Sequence, residues 1–179
     1  MAGQFNFVLT NKGASLLAKL QAGGTLNFTK VQIGDGQIGA TDPKTLNALI
    51  AAKHQPAVSS VFYVAPNKAK VGTQFNNSNF ASPFVWREIG LFATDPNEGE
   101  ILYAYGNAGA TAETIPASNT PVEKWYDIIA VAGNATTINA TISPGSYITR
   151  EEYARASKLY LSGTPEEYMQ ENDFILEEI

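Results

Sequence analysis

Apolar side chains near the amino terminus recur at the spacing of one helical face. This stripe consists of Ala14, Leu16, Leu17 and Leu20. Thr10 stands just before it, and its hydroxyl can accept a hydrogen bond from a backbone N–H of the first turn. Gly23 and Gly24 follow it and can end the helix. The pattern therefore predicts an N-terminal helix.

Two shorter elements are predicted next. Residues 25–33 are rich in β-branched and apolar side chains and predict a strand, and the glycine-containing segment 34–36 predicts a turn after it. Asp42 followed by Pro43 is typical of a helix start. We therefore expect a short helix that extends from there to Ile50.

From about residue 57 the apolar pattern changes to a period of two, which is typical of strands. It predicts strands at 58–64, 84–93, 101–105, 125–131 and 137–142. Gly133 and Asn134 predict a hairpin turn that joins the last two strands. The small, polar residues of 106–121 predict a long surface loop.

After residue 145 the pattern becomes helical again. Thr149 and Glu152 form one capping box, and Thr164 and Glu167 form another. The predicted fold class is therefore α+β, with an N-terminal helix, a central antiparallel β-sheet or sandwich, and C-terminal helices. Two domains are expected: a body at 1–148 and an acidic helical segment at 149–179.

Charge divides the chain at the same place. Residues 1–149 hold nine basic and nine acidic side chains, whereas residues 150–179 hold three basic and eight acidic ones. The whole chain carries a net charge of -5, and only 16% of its residues are charged. A neutral body with an acidic end does not favour nucleic acid, which requires basic surfaces.

Cysteine is absent, which excludes disulfides and thiolate metal sites. The first ten residues have neither the charged region nor the apolar run of a signal peptide, and no apolar run reaches 18 residues. We therefore expect synthesis in the cytoplasm and no insertion into a membrane.

Candidate chemistry is sparse. Gly34, Gly36 and Gly39 match a dinucleotide-binding pattern in letters, but no helix opens directly at this turn, so a tight glycine turn is the better interpretation. His54 is the single histidine and lacks a recognisable nucleophile partner. These features predict no enzymatic activity, no cofactor and no metal.

Carboxylates also occur in adjacent or alternating pairs. The pairs are Glu98/Glu100, Glu151/Glu152 and Glu166/Glu167. The first lies in a predicted hairpin loop, and the other two lie in first turns of predicted helices, where negative charge suits the helix dipole. Capping and loop positions explain them better than a glycosidase pair does.

Three stretches together resemble the phage tail-collar fibre family, which comprises N-terminal attachment domains of tail fibres on contractile phages and related bacteriocins. The stretches are LTNKG at 9–13, LNFTKVQIGDG at 26–36, and WREIGLF at 86–92, which continues to EILYAYGN at 100–107. The resemblance extends to about residue 153. Within the most specific segment, the fold-defining residues are Trp86, Arg87, Glu88 and Gly90.

The resemblance implies a structural role and a homotrimer. In such fibres the N-terminal domain docks on the baseplate of the virion tail, while a distal part binds the host surface. Only about 26 residues follow the resemblance here, so this chain is expected to be a short fibre or an adaptor for a separate receptor-binding protein. An assembly chaperone and a carbohydrate-binding module, which would use exposed aromatics such as Tyr103, Tyr105 and Trp125, remain alternatives.

The last 16 residues are expected to form a helix that docks onto a partner; the alternative is that this helix folds back onto its own domain. Their apolar side chains need a surface to cover them, and the hypothetical interface consists of Tyr168, Phe174, Ile175 and Ile179. The acidic residues around them favour a basic surface on a baseplate protein or a distal fibre subunit.

Overall fold

Strands dominate the structure, a computed structural model that describes residues 5–64 and 67–143. Strands account for 51% of it, and the described residues contain one α-helix of nine residues. The predicted α+β class is therefore wrong, because the described chain is mostly β. The N-terminal helix is present, whereas the expected C-terminal helices lie outside the described residues.

Eleven strands and one helix form the described part of the chain. The strands are β1 (Asn6–Leu9), β2 (Thr25–Gly34), β3 (Ala52–His54), β4 (Ala57–Val64), β5 (Lys68–Asn76), β6 (Phe84–Trp86), β7 (Glu88–Asp95), β8 (Gly99–Asn107), β9 (Glu113–Ile115), β10 (Glu123–Val131) and β11 (Thr137–Ala140). The helix is α1 (Asn11–Lys19). Three-residue 3-10 helices cover Leu20–Ala22, Pro43–Thr45 and Gly109–Thr111.

The strands form three sheets. The largest has the order β1-β8-β7-β2-β11, with β3 also paired to β2. A second sheet has the order β10-β5-β4, and β6 pairs with β9 in a third. All described pairings are antiparallel except that of β11 with β2, which is parallel. The predicted central antiparallel β-sheet or sandwich therefore differs from the structure in one respect, because β11 pairs with β2 in parallel.

The main core joins the two larger sheets. Fully buried side chains from the first sheet, such as Leu26 and Leu91, belong to the same cluster as Val71 and Ile128 from the second. This follows from the period of two, since alternate residues of each strand point to the same face. Leu16 of α1 joins the cluster and is 1% exposed, because the helical stripe faces the sheets.

The N-cap prediction for the helix is confirmed. Thr10 is extended, and its hydroxyl accepts a hydrogen bond of 3.0 Å from the N–H of Gly13. Thr10 is itself fully buried and donates to the carbonyl of Leu102, so the cap also ties α1 to β8. The second predicted helix is shorter than expected, because only Pro43–Thr45 is helical after the Asp42 cap.

The expected hairpin at Gly133 and Asn134 is wrong. β10 pairs with β5 and β11 pairs with β2, so the connection crosses from one sheet to the other. The N–H of Thr136 bonds the carbonyl of Gly24 at 2.9 Å and directs the chain toward β2. Turn residues predict a reversal of the chain but not the strand that it then joins. The predicted strands also omitted β5, the central strand of its sheet.

A buried asparagine organises the segment predicted as a surface loop. Asn77 is 1% exposed, and its side-chain N–H groups donate to the carbonyls of Pro116, Ala117 and Thr120. The side-chain oxygen of Asn77 accepts a hydrogen bond from the N–H of Val122 at 2.8 Å. The segment before β10 is thus fixed by hydrogen bonds to one side chain.

Trp86→Ala should lower the free energy of unfolding by about 3–5 kcal/mol, because it removes a large buried side chain. Trp86 is 3% exposed, and its ring lies 4.9 Å from that of Phe5 and 5.2 Å from that of Phe75, between centroids. The control is Trp125→Ala. Because Trp125 is 47% exposed, this substitution should lower the free energy of unfolding by less than about 1 kcal/mol. Urea unfolding followed by circular dichroism measures both, and equal losses would contradict the prediction.

Candidate functional site

The segment from Trp86 to Gly90 crosses from the small sheet to the large one. Arg87 lies between β6 and β7 and bonds to neighbours on both sides. Its N–H donates to the carbonyl of Gly34 at 2.9 Å, and its own carbonyl accepts from Ala108 at 2.8 Å. Its guanidinium donates to the carbonyl of Asp35 at 3.2 Å. Arg87 therefore joins the end of β2 to the segment after β8.

Glu88 is fully buried, and its carboxylate accepts four hydrogen bonds. One oxygen accepts from the N–H groups of Gly36, at 3.0 Å, and Ala51, at 2.7 Å. The other accepts from the N–H of Ile50 and the hydroxyl of Tyr105, both at 3.0 Å. All four donors are neutral, so backbone and phenol groups replace water around the charge. The loop between residues 36 and 51 is consequently pinned at both ends to β7.

Tyr105 extends this network into β8. Burial raises the pKa of its hydroxyl, which keeps the phenol protonated as a donor to Glu88. The side-chain amide of Asn107 donates to the same hydroxyl at 3.0 Å. Glu88 and Tyr105, which are buried, and the partly buried Asn107 thus form one continuous hydrogen-bonded chain, as buried polar groups generally require.

Close approach explains the glycines around this network. A Cβ on Gly36 would lie 2.5 Å from the Glu88 carboxylate oxygen and 2.7 Å from Cβ of Ile50. A Cβ on Gly90 would lie 2.3 Å from a methyl group of Leu49. Gly34 and Gly36 of the nucleotide-like pattern therefore lie against a carboxylate of the same chain, whereas Gly39 has open space around it. The sequence predicts a tight turn at these glycines but not the contact of Gly34 and Gly36 with the Glu88 carboxylate.

The remaining candidate residues hold structural positions. His54 packs edge-on against Phe80, with ring centroids 5.0 Å apart, and burial lowers its pKa. Glu98 pairs with Lys12 at 3.0 Å, and Glu100 pairs with Lys30. Within residues 5–64 and 67–143 there is no cluster of side chains suited to a metal ion. No helix of that part has the length and apolar character of a membrane span.

The aromatic residues considered for sugar binding separate into two groups. Tyr103 and Tyr105 are fully buried, whereas Trp125 is 47% exposed. Of the three, only Trp125 can therefore contact a ligand on the surface. The proposed interface residues Tyr168, Phe174, Ile175 and Ile179 lie outside the described residues.

Trp125 belongs to an exposed apolar stripe on β10. Ile129 is 50% exposed and Val131 is 47% exposed, on the same face of the strand. Tyr126 and Ile128 point to the opposite face and pack into the core. The sequence alone could not show which face of β10 is buried, because apolar residues occupy both faces of this strand.

These surfaces are typical of a structural or protein-binding module, with an exposed apolar strand and a rigid, hydrogen-bonded loop. Residues 1–150 match the family model of the phage tail-collar fibre protein, N-terminal domain. The chain therefore belongs to the phage tail-collar fibre family. This family is structural and is associated with other tail proteins in the virion tail.

Two further comparisons gave no match. Neither the curated proteins nor the solved structures include one that matches this chain.

Glu88→Gln should lower the free energy of unfolding by about 2–4 kcal/mol, because the new amide N–H₂ would face donors that need an acceptor. Hydrogen exchange should accelerate at the N–H groups of Gly36, Ile50 and Ala51. The matched control is Glu100→Gln, which breaks a partly exposed ion pair and should cost only about 0–1 kcal/mol. If both variants unfold alike and exchange stays slow, Glu88 does not hold the loop.

Proposed function

We propose that this chain is a non-enzymatic tail-fibre component that fixes fibres, or a separate receptor-binding protein, to the baseplate. The particle is a contractile phage tail or a related tail-like bacteriocin. The match of residues 1–150 to the tail-collar fibre family carries the proposal. The same family membership favours a structural role over an enzymatic one.

The arrangement of charges supports a role in assembly. Six lysines form ion pairs with carboxylates, among them Lys19 with Asp95 and Lys70 with Asp127. A body of nine basic and nine acidic residues has little net field of its own. Contacts of such a body with its neighbours depend on apolar packing and local charges rather than on long-range attraction.

The fold-defining role of Trp86, Arg87, Glu88 and Gly90 is part of the proposal. Trp86 joins an aromatic cluster, Arg87 and Glu88 bond to loops on both sides, and Gly90 permits close packing of Leu49. These contacts support the view that the motif maintains the shape of the attachment domain and does not itself bind a partner.

The purified particle should contain this chain as a stoichiometric component. Proteomics of density-purified particles and immunogold labelling should locate it where fibres meet the baseplate. Deletion of its gene should leave tails without fibres. A dedicated assembly chaperone would instead be absent from finished particles. Saturable binding of the isolated chain to host cell walls, abolished by Trp125→Ala, would favour the carbohydrate-binding alternative.

The full chain should be a homotrimer, and a truncation after Gly163 should remain folded and trimeric. The reason is that the body proposed at 1–148 contains the whole described core, while residues 164–179 are proposed to bind a distal subunit through Tyr168, Phe174, Ile175 and Ile179. Light scattering and particle proteomics test both parts. Unfolding of the truncated chain, or a monomeric full chain at high micromolar concentration, would contradict them.

A further inference from the structure

Asp35 and Gly36 form the single Asp-Gly pair of the sequence, which contains no Asn-Gly pair. An aspartate followed by glycine is the one most readily attacked by the next backbone nitrogen, because glycine lacks the Cβ that hinders the approach. The Asp35 side chain is 30% exposed, so water reaches its carboxyl group. Burial therefore does not protect this pair from the reaction.

The reaction rearranges the main chain with water as the only other reactant. The nitrogen of Gly36 bonds to Cγ of Asp35, and the amide proton leaves as water with the hydroxyl of the protonated carboxyl, which gives a succinimide ring. A second water then opens the ring at one of its two carbonyl groups. Opening at Cγ restores aspartate. Opening at the main-chain carbonyl leaves isoaspartate, in which the main chain runs through Cγ and is longer by one methylene.

The peptide unit between Asp35 and Gly36 is bound at both ends. Its carbonyl accepts a hydrogen bond from the Arg87 guanidinium at 3.2 Å, and its N–H donates to the Glu88 carboxylate at 3.0 Å. Both groups lie in one plane, so the two bonds together oppose rotation of the unit. The Asp35 carboxylate is paired with Lys53 at 3.3 Å. Ring closure requires the peptide unit and the carboxyl group to approach each other, and each is bound to another partner.

The same carboxylate explains why residue 36 is a glycine. A Cβ at this position would lie 2.5 Å from an oxygen of Glu88. A larger residue would slow the attack of its nitrogen, but it would also displace the loop from β7. The contact with Glu88 therefore requires the reactive glycine and also restrains its nitrogen.

We propose that Asp35 is a latent isoaspartate site, which Arg87 and Glu88 keep unreacted in the folded chain. Isoaspartate at this position would lengthen the main chain directly after β2 and move the N–H of Gly36 away from Glu88. The loop between residues 36 and 51 would then lose the anchor at its first end. The reaction needs only this chain and water, whatever partners the chain has.

Two variants release the two ends of the peptide unit separately. Arg87→Ala removes the donor to its carbonyl, and Glu88→Gln removes the charged acceptor of its N–H. The full-length natural chain and both variants are incubated at neutral pH and physiological temperature. Trypsin then releases residues 31–44, in which electron-transfer fragmentation distinguishes isoaspartate from aspartate. Isoaspartate at residue 35 should form about tenfold faster in each variant than in the natural chain, because release of this unit alone permits ring closure.

Two further variants control for a general loss of stability. Leu16→Ala removes a fully buried side chain of α1, which takes no part in these bonds. Glu100→Gln removes a carboxylate of an ion pair elsewhere. Both should keep the slow rate of the natural chain while circular dichroism shows them folded. The natural chain unfolded in urea is the upper reference and should react at least about tenfold faster than the folded chain.

The outcomes that overturn the proposal are distinct. Equal rates in the folded and urea-unfolded natural chain would show that the fold gives no protection. An unchanged rate in folded Arg87→Ala and Glu88→Gln would show that these two side chains do not provide it. Equal acceleration in Leu16→Ala would assign the protection to global stability. If Glu88→Gln does not fold, Arg87→Ala decides alone, since its side chain is only partly buried.

Discussion

The buried carboxylate of Glu88 is the interaction on which the other features of this fold depend. A charge removed from water is tolerated only where hydrogen bonds replace its solvation, and here three backbone N–H groups and one phenol do so. The loop before β3 has no extended ladder along its length. The carboxylate therefore supplies the contacts that fix its two ends to β7, and the backbone must approach so closely that Gly36 cannot carry a side chain.

Asn77 and Thr10 apply the same principle elsewhere. Each is nearly fully buried and satisfies several backbone groups that strands leave unpaired, Asn77 before β10 and Thr10 between α1 and β8. Because only strands and one short helix supply regular bonds in the described chain, irregular segments depend on such side chains. The long connections are consequently ordered without adding secondary structure.

Local patterns predicted the local elements of this fold and little beyond them. The capped first helix and strands such as β2 and β8 follow from short-range periodicity, and the resemblance identified the family correctly. The pairing of β11 with β2 did not follow, since a turn signal carries no information about a distant partner. β5 was missed although Ala69, Val71 and Phe75 recur at a period of two, because the small and polar residues between and around them weaken the apolar signal. The role of Glu88 was hidden for a related reason: its four donors come from three separate parts of the chain.

The two tryptophans of this chain, Trp86 and Trp125, differ in burial, and the stability of the fold depends on Trp86 far more than on Trp125. Trp86 lies in the aromatic cluster with Phe5, Phe75 and Tyr126, where its removal leaves a cavity. Trp125 lies on an edge strand whose inner face already contributes Ile128 to the core, so the fold does not require its burial. An apolar side chain in that position lowers the solubility of the free chain, and we expect it to add less than about 1 kcal/mol to the stability of the fold. Selection for a contact that forms only after folding explains its presence better than selection for the fold.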